Sequence, residues 1–402
     1  MTMPSEFTEK DRKRALFTLF LVVCIDLIGF GIVIPILPYY ARAFGASAFE
    51  LGWLMTSYSL MQFLFSPVWG AVSDRVGRKP VLIMSIFATA LTLGFMGFAR
   101  SLLWLFIGRI AAGVSAANIS TAYAYVSDVT SEADRSKGMG LIGAGFGLGF
   151  IIGPAIGGIL SVHGYDVPLL FAGGLALLNG ILALRLLCEP PLDSATRASH
   201  RFKRFAFVEY SRVLAHPLTR LAIGTSFLVT VAVTQMEVCF AIFMAAKFGY
   251  DARHAGMLLG LMGVVMVVMQ GGLIGKLSKR FGEIPLIRVG AAIAAASLFS
   301  FAVAPTIGGV VLALILYAVG GGMINPSLSS LASKGAPADL RGSTMGVYQS
   351  AGSLARVIGP PTAGWLYDQT SQSAPFFSGV VLLGLVVVIA VSFKEIHTAS
   401  KA

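Results

Sequence analysis

Apolar residues in this chain come in long uninterrupted runs, separated by short polar connections, and not at alternating positions or on one helical face. Twelve runs are legible, near residues 16–40, 51–72, 80–99, 102–126, 138–161, 168–188, 218–245, 255–275, 284–304, 309–332, 343–366 and 375–393. Each approaches or exceeds the roughly 20 residues that an α-helix needs to cross the hydrocarbon of a bilayer. Lipid offers the backbone no hydrogen bonds, so a spanning segment must be a helix or belong to a closed barrel. Barrel strands read as alternating segments of about 10 residues, a pattern absent here. The first run, Ala15 to Tyr40, is too long for a signal-peptide core and no small-residue cleavage site follows it, so it is expected to be a retained span.

Composition agrees. Of 402 residues 56% are hydrophobic and 12% charged, and the mean hydropathy is +0.81. Soluble domains carry about 25% charged residues, so water cannot cover most of this surface. The connections are too short for a separate soluble catalytic domain, and no enzymatic activity is expected. Cys24, Cys188 and Cys239 are scattered singly, with neither disulfide nor metal-ligand spacing.

The net charge of +11 acquires meaning from its distribution. With the N-terminus inside, 24 of the 30 Lys and Arg residues fall in inner segments, four outside (Arg42, Arg100, Lys247, Arg253) and two mid-span (Arg109, Arg356). The positive-inside rule then predicts a multi-pass protein of the cell's inner (plasma) membrane with both termini cytoplasmic. The excess charge reports topology, and no nucleic-acid partner is expected.

The longest connection, 189–217, opens with Glu189-Pro190-Pro191 and divides the spans six and six. Phe202, Phe205 and Phe207 among Arg201, Lys203 and Arg204 fit either a helix lying on the lipid surface or a solvated tether. An internal repeat supports the division. Gly70-Ala-Val-Ser-Asp74-Arg75-Val-Gly77-Arg78-Lys79-Pro80 recurs 205 residues later as Gly275-Lys-Leu-Ser-Lys279-Arg280-Phe-Gly282-Glu283-Ile-Pro285, and Gly140 and Gly153-Pro154 recur 206 residues later as Gly346 and Gly359-Pro360. The predicted organisation is an all-α membrane protein of twelve helices in two pseudo-symmetric halves: residues 1–188, a cytoplasmic linker 189–217, and residues 218–402. Parallel repeats of this kind place a substrate near the midplane between halves in one large class of transporters.

Four segments then carry a resemblance to the major facilitator superfamily, and within it to the twelve-helix drug:H+ antiporters of the tetracycline efflux type. They are Asp26-Leu-Ile-Gly29 through Pro35-Ile-Leu-Pro38, Gly70 to Lys79, Arg109-Ile-Ala-Ala-Gly113, and Gly149-Phe-Ile-Ile-Gly153-Pro154-Ala-Ile-Gly157-Gly158. The last resembles the antiporter motif and implies export. The resemblance also implies that the Gly70 segment is a cytoplasmic gate. None of the five histidines falls inside a span, and helices 8 and 9 carry no interior acid, which departs from the tetracycline antiporters and leaves the drug undefined.

The residues themselves suggest roles. In the gate, Gly70 is small enough for close helix approach, Asp74 can accept from a helix N-terminus, and Arg75 and Arg78 can clamp an acid, with Asp128 the natural partner. Gly77 and Lys79 complete that loop. Such a charge lock releases as the protein rocks, or serves only as an orientation signal. The second copy has Lys279 in place of Asp74, so an asymmetric lock is expected. Gly145, Gly149, Gly153 and Gly157, with Gly256 and Gly260, form stripes of small residues that either slide between halves or pack one half internally. Pro35, Pro154 and Pro326 are expected to bend their helices.

Ionisable residues inside spans are costly and point to function. Only Asp26, Arg109, Glu237 and Arg356 lie deep, and at about 1.5 Å per residue they form one possible acid–base pair in each half. Burial favours a protonated acid, whereas a neighbouring Arg favours an ionised one. Moving Arg109 therefore switches Asp26 between holding and releasing a proton; a permanent structural bridge is the competing reading for either pair. Tyr58, Gln62, Asn118, Gln235, Phe240, Tyr317, Asn325 and Gln349 are candidates for touching substrate, although interhelical hydrogen bonding is the commoner role of polar groups in spans.

Three motifs are set aside. Gly138-Met-Gly140-Leu-Ile-Gly143 matches a dinucleotide fingerprint but has no preceding strand. Gly275-Lys276 lacks the remainder of a phosphate-binding loop, so no ATP site or other cofactor is expected, and no metal. Asn118-Ile-Ser120 is a glycosylation sequence placed within a span. The sequence is therefore read as a monomeric, proton-coupled secondary transporter that exports a small amphipathic compound. An importer on the same scaffold and a non-transporting receptor or scaffold are the alternatives.

Overall fold

A computed structural model describes residues 9–116, 118–130, 132–190, 207–336 and 340–399, and among them every regular element is helical. The helices are α1 (Glu9–Ala43), α2 (Ala48–Val76), α3 (Arg78–Gly97), α4 (Leu102–Ser115), α5 (Asn118–Val129), α6 (Glu132–Leu160) and α7 (Asp166–Leu186). There follow α8 (Phe207–Ala215), α9 (Pro217–Phe248), α10 (Ala252–Val268), α11 (Ile274–Phe281), α12 (Glu283–Val303), α13 (Ile307–Lys334), α14 (Arg341–Gln369) and α15 (Ala374–Ala399). Ten segments, on α1, α3, α4–α5, α6, α7, α9, α10–α11, α12, α13 and α15, are long and apolar enough to cross a membrane. The other two predicted spans coincide with α2 and α14, each of 29 residues. At about 1.5 Å per residue both have the length to cross, but they are less apolar.

The residues separate into two compact units: 1–40 with 61–204, and 41–60 with 205–402. In the first, α3 packs along α7 and touches α4 and α5, over a core of Leu19, Val23 and Leu27 of α1, Leu82 of α3, Tyr125 and Val126 of α5 and Ile142 of α6. α1 and α6 meet backbone to backbone: a Cβ on Gly149 would lie 2.7 Å from the Leu27 carbonyl carbon, and one on Gly153 would lie 2.6 Å from the Gly31 Cα. The α6 glycine stripe thus packs the first unit internally. Among the described residues, a Cβ on Gly70 meets nothing within 4 Å.

Where a single span was expected over 102–126, the helix breaks between α4 and α5. A break in lipid orphans carbonyls that must find donors. Trp69 Nε1 donates to the Val114 carbonyl at 2.5 Å and Ser85 Oγ to that of Ser115 at 2.6 Å. Both donors come from other helices, so local sequence does not announce the break. A π-helical turn, Met269–Leu273, interrupts the α10–α11 span.

In the second unit α12 and α13 pack closely, and α9 lies against α14 and α15. Phe240 and Phe243 of α9, Phe301 of α12 and Phe376 of α15 form an aromatic cluster with centroids 4.8–5.6 Å apart. The first turns of α2 are fixed here. Ser47 and Glu50 make a capping box, Ser47 N donating to Glu50 Oε2 at 2.8 Å and Glu50 N to Ser47 Oγ at 3.1 Å. Ala48 N and Phe49 N donate to Asp368 at the end of α14, at 3.3 and 2.8 Å. Of the predicted interfacial segment, Phe202 and Phe205 lie outside the described residues. α8 is a short helix whose Val213 is buried against Ile223 and Val347.

Candidate functional site

The gate loop of the first unit is a bonded cluster. Gly77 caps α3 at φ 117°, a left-handed conformation suited to glycine, and the turn sets Arg78 at the first helical position with its side chain 8% exposed. The Arg78 guanidinium donates from Nε to Asp128 Oδ2 at 2.8 Å and from NH1 to Asp74 Oδ1 at 2.5 Å and Ser73 Oγ at 2.7 Å. The fork shape of arginine suits two carboxylates at once. Arg78 is thus the clamp, whereas Arg75 is exposed.

One member of this cluster is absent from the sequence reading. Glu189, the first residue of the expected linker, accepts from Arg78 N at 2.6 Å and Lys79 N at 3.0 Å. A Cβ on Gly77 would lie 2.7 Å from Glu189 Oε1. Tyr125 donates to the adjacent Cys188 carbonyl at 2.6 Å, so the end of the first half is tied to both α3 and α5. The only sequence signal is a carboxylate opposite an uncapped helix start, and 111 residues separate the partners.

Deep in the same unit, Asp26 of α1 and Arg109 of α4 are 9% and 7% exposed. Asn179 of α7 donates to the Val22 carbonyl at 2.9 Å, one turn before Asp26, and so holds α1 beside α7. In the second unit Arg356 of α14 acts electrostatically on Glu237 of α9, and Glu237 in turn acts on the Tyr317 hydroxyl of α13. Glu237 is half-buried and Arg356 exposed, whereas Asp26 and Arg109 are both buried. Gln235 donates to Thr362 Oγ1 at 3.2 Å. Among the described residues, buried Gln235 Oε1 and the Tyr317 hydroxyl have no hydrogen-bond partner.

Tyr58 and Gln62 of α2 are half-buried, and Asn325 and Gln349 are exposed. Phe240 is fully enclosed in the aromatic cluster, which makes it core. The Asn118 side chain lies outside the described residues. Of the antiporter motif, Gly149, Gly153 and Gly157 make the close α1 contact, and Pro154 and Gly158 are buried beside it. Among the described residues no group of three or more His, Cys, Asp or Glu side chains is placed to hold a metal.

The model of the Major Facilitator Superfamily matches residues 19–360. The chain is 30% identical to the class E tetracycline resistance protein of Escherichia coli, over 96% of this chain and 95% of the relative. It is 28% identical to multidrug resistance protein 2 of Bacillus subtilis, over 93% and 94%. In structure it resembles a bacterial homologue of the human lysosomal transporter Spinster, with a TM-score of 0.76 at 16% identity over 98% of both chains. A chain of membrane-length helices, matched over most of its length by this family's model, is a multi-pass membrane transporter that belongs to the Major Facilitator Superfamily.

Proposed function

We propose that the chain is a proton-coupled exporter of small amphipathic compounds, working by alternating access from the inner membrane with both termini in the cytoplasm. The observation that carries the reading is Asp26, a carboxyl group only 9% exposed in the middle of α1, in a chain 30% identical to a tetracycline resistance protein across nearly its whole length. An interior carboxyl is costly to keep ionised and marks a proton or ligand site.

In this cycle Asp26 takes a proton from the outer side and carries it as a neutral carboxyl group. Arg109 approaching Asp26 favours the ionised form, so the proton leaves toward the cytoplasm and substrate is admitted there. Protons move in as the compound moves out, driven by about 2.3 kcal/mol per charge per 100 mV. Gln235 Oε1 and the Tyr317 hydroxyl, unpartnered in the second unit, are the groups offered to substrate donors, with Glu237 close by to favour a cation. Arg78, Asp74 and Asp128, with Gly70, Gly77, Arg75 and Lys79 in the same loop, act as the cytoplasmic gate.

The test uses everted vesicles or proteoliposomes energised by a pH gradient, with tetracycline and ethidium as probes. Each is expected to release protons from wild-type vesicles, and Asp26→Asn to remove that release. A gradient undisturbed by every compound sinks the antiport reading, uptake with proton influx makes the chain an importer, and persistence of proton-driven transport in Asp26→Asn removes Asp26 from the coupling site.

A further inference from the structure

The repeat offset locates a second charge cluster. Glu283 stands 205 residues after Arg78, Lys279 the same distance after Asp74, and Lys334 stands 206 residues after Asp128. The turns before Arg78 and Glu283 match in conformation, with Gly77 at φ 117° and Gly282 at φ 77°. In the second unit Lys334 Nζ forms an ion pair with Glu283 Oε1, and Ser330 Oγ donates to the same oxygen at 3.0 Å. Every charge of the first triad is thus reversed in the second. The sequence predicts an asymmetric lock, with Lys279 in place of Asp74, and the structure pairs Glu283 with a cation on the helix equivalent to the one that supplies Asp128.

Helix dipoles give the inversion a physical meaning. Arg78 sits at the N-terminus of α3 and Asp128 in the last turn of α5, so each charge lies at the helix end of its own sign. Glu283 begins α12 and Lys334 ends α13, so each lies at the end of opposite sign. A charge at a helix end changes an equilibrium by a factor of roughly two to five. The second pair is therefore reinforced at both ends. The first is opposed at both, and Glu189 supplies from a distance the acid that the α3 N-terminus lacks. This reinforcement matters because Lys334 is 68% exposed, and an exposed pair has little strength of its own.

We propose that Lys279, Glu283 and Lys334 form a charge-inverted copy of the Asp74–Arg78–Asp128 lock, so that each half of the transporter carries its own lock at equivalent helix ends. As a lock within a transport cycle it rests on the alternating-access reading; its effect on the end of α13 does not.

The test uses the full chain in membranes with Cys24, Cys188 and Cys239 replaced by Ser and a reporter Ala332→Cys, whose parent side chain is fully buried at the end of α13. Maleimide labelling of that thiol is expected to accelerate about three- to tenfold in Glu283→Gln or Lys334→Gln, the range set by an exposed pair plus its helix-end reinforcement. The triple inversion Lys279→Asp, Glu283→Arg, Lys334→Asp rebuilds the first-half pattern. It should return labelling to within about threefold of the parent, whereas Glu283→Arg with Lys334→Asp alone, which faces Lys279, should recover less. Singles that label like the parent, or a triple variant no slower than the singles, overturn the proposal. Tetracycline-driven proton release is measured on the same vesicles. If the parent releases none, the export reading fails while the labelling still decides the lock.

Discussion

Gly153→Ala provides a sharp test of how α1 is held. A Cβ at residue 153 would lie 2.6 Å from the Gly31 Cα and 2.7 Å from both the Gly31 carbonyl carbon and the Ile28 oxygen, where ordinary contact begins at 3.4 Å. All three atoms are backbone, so no rotamer change relieves them, and α1 and α6 must separate by about 1 Å. Overpacking of this kind costs about 1–3 kcal/mol. Alanine is a better helix former than glycine by about 0.5–1 kcal/mol, so the net loss should be about 1–2 kcal/mol. Gly145, on the same stripe, serves as the control. Its added Cβ would meet the Leu27 Cδ1 at 3.5 Å, so Gly145→Ala should be neutral or slightly stabilising. The assay is the temperature at which half the monodisperse protein is lost in detergent, read beside proton release, because α1 also carries Asp26. Gly31→Ala presses on the same contact from the other helix, so Gly31→Ala with Gly153→Ala should cost less than the sum of the two. Equal stability of the 145 and 153 variants would refute the backbone-contact account.

Three further outcomes are expected. Arg78→Lys keeps the charge but not the fork that reaches Asp128, Asp74 and Ser73 together, so stability should fall by about 2 kcal/mol; an unchanged melt would show that charge alone suffices. Glu189→Gln leaves a single oxygen for two backbone donors and should cost about 1 kcal/mol, with faster hydrogen exchange at the start of α3 as the check. Glu50 is held below the usual glutamate range by the backbone N–H and hydroxyl of Ser47. A depressed value lends stability that is complete above about pH 4.5 and is lost as pH falls through the folded value, so Glu50→Gln should be less stable near neutrality, with a shallower acid limb, and the two stability-against-pH curves should converge in acid.

Hydropathy made the helices legible because lipid imposes one requirement on every spanning segment, and the 205-residue offset relates two turns, before Arg78 and Glu283, that both keep a glycine at positive φ. Partner identity is set elsewhere. Nothing near Ala116 announces a broken helix, since Trp69 and Ser85 supply the donors that permit it. Gly70 resembles a packing glycine but faces open space, whereas Gly153 of the same residue type bears on bare backbone. Apolarity also says little about enclosure: Phe240 is sealed in the core, whereas Arg356, charged and mid-span by sequence, is exposed. The ions were found because their cost in lipid makes them rare, but Arg356 reaches Glu237 from another helix, out of reach of any local pattern.

The contact of Glu189 with the start of α3 has a practical consequence. A chain severed within its long central connection can be made as two polypeptides, and the place of the cut decides whether the first piece keeps its own cap. Cut after Pro190, the leading fragment retains the carboxylate that receives Arg78 N and Lys79 N; cut after Cys188, it lacks the cap of the turn between α2 and α3. The first seven helices therefore depend, for the capping of α3, on a residue beyond their last apolar stretch.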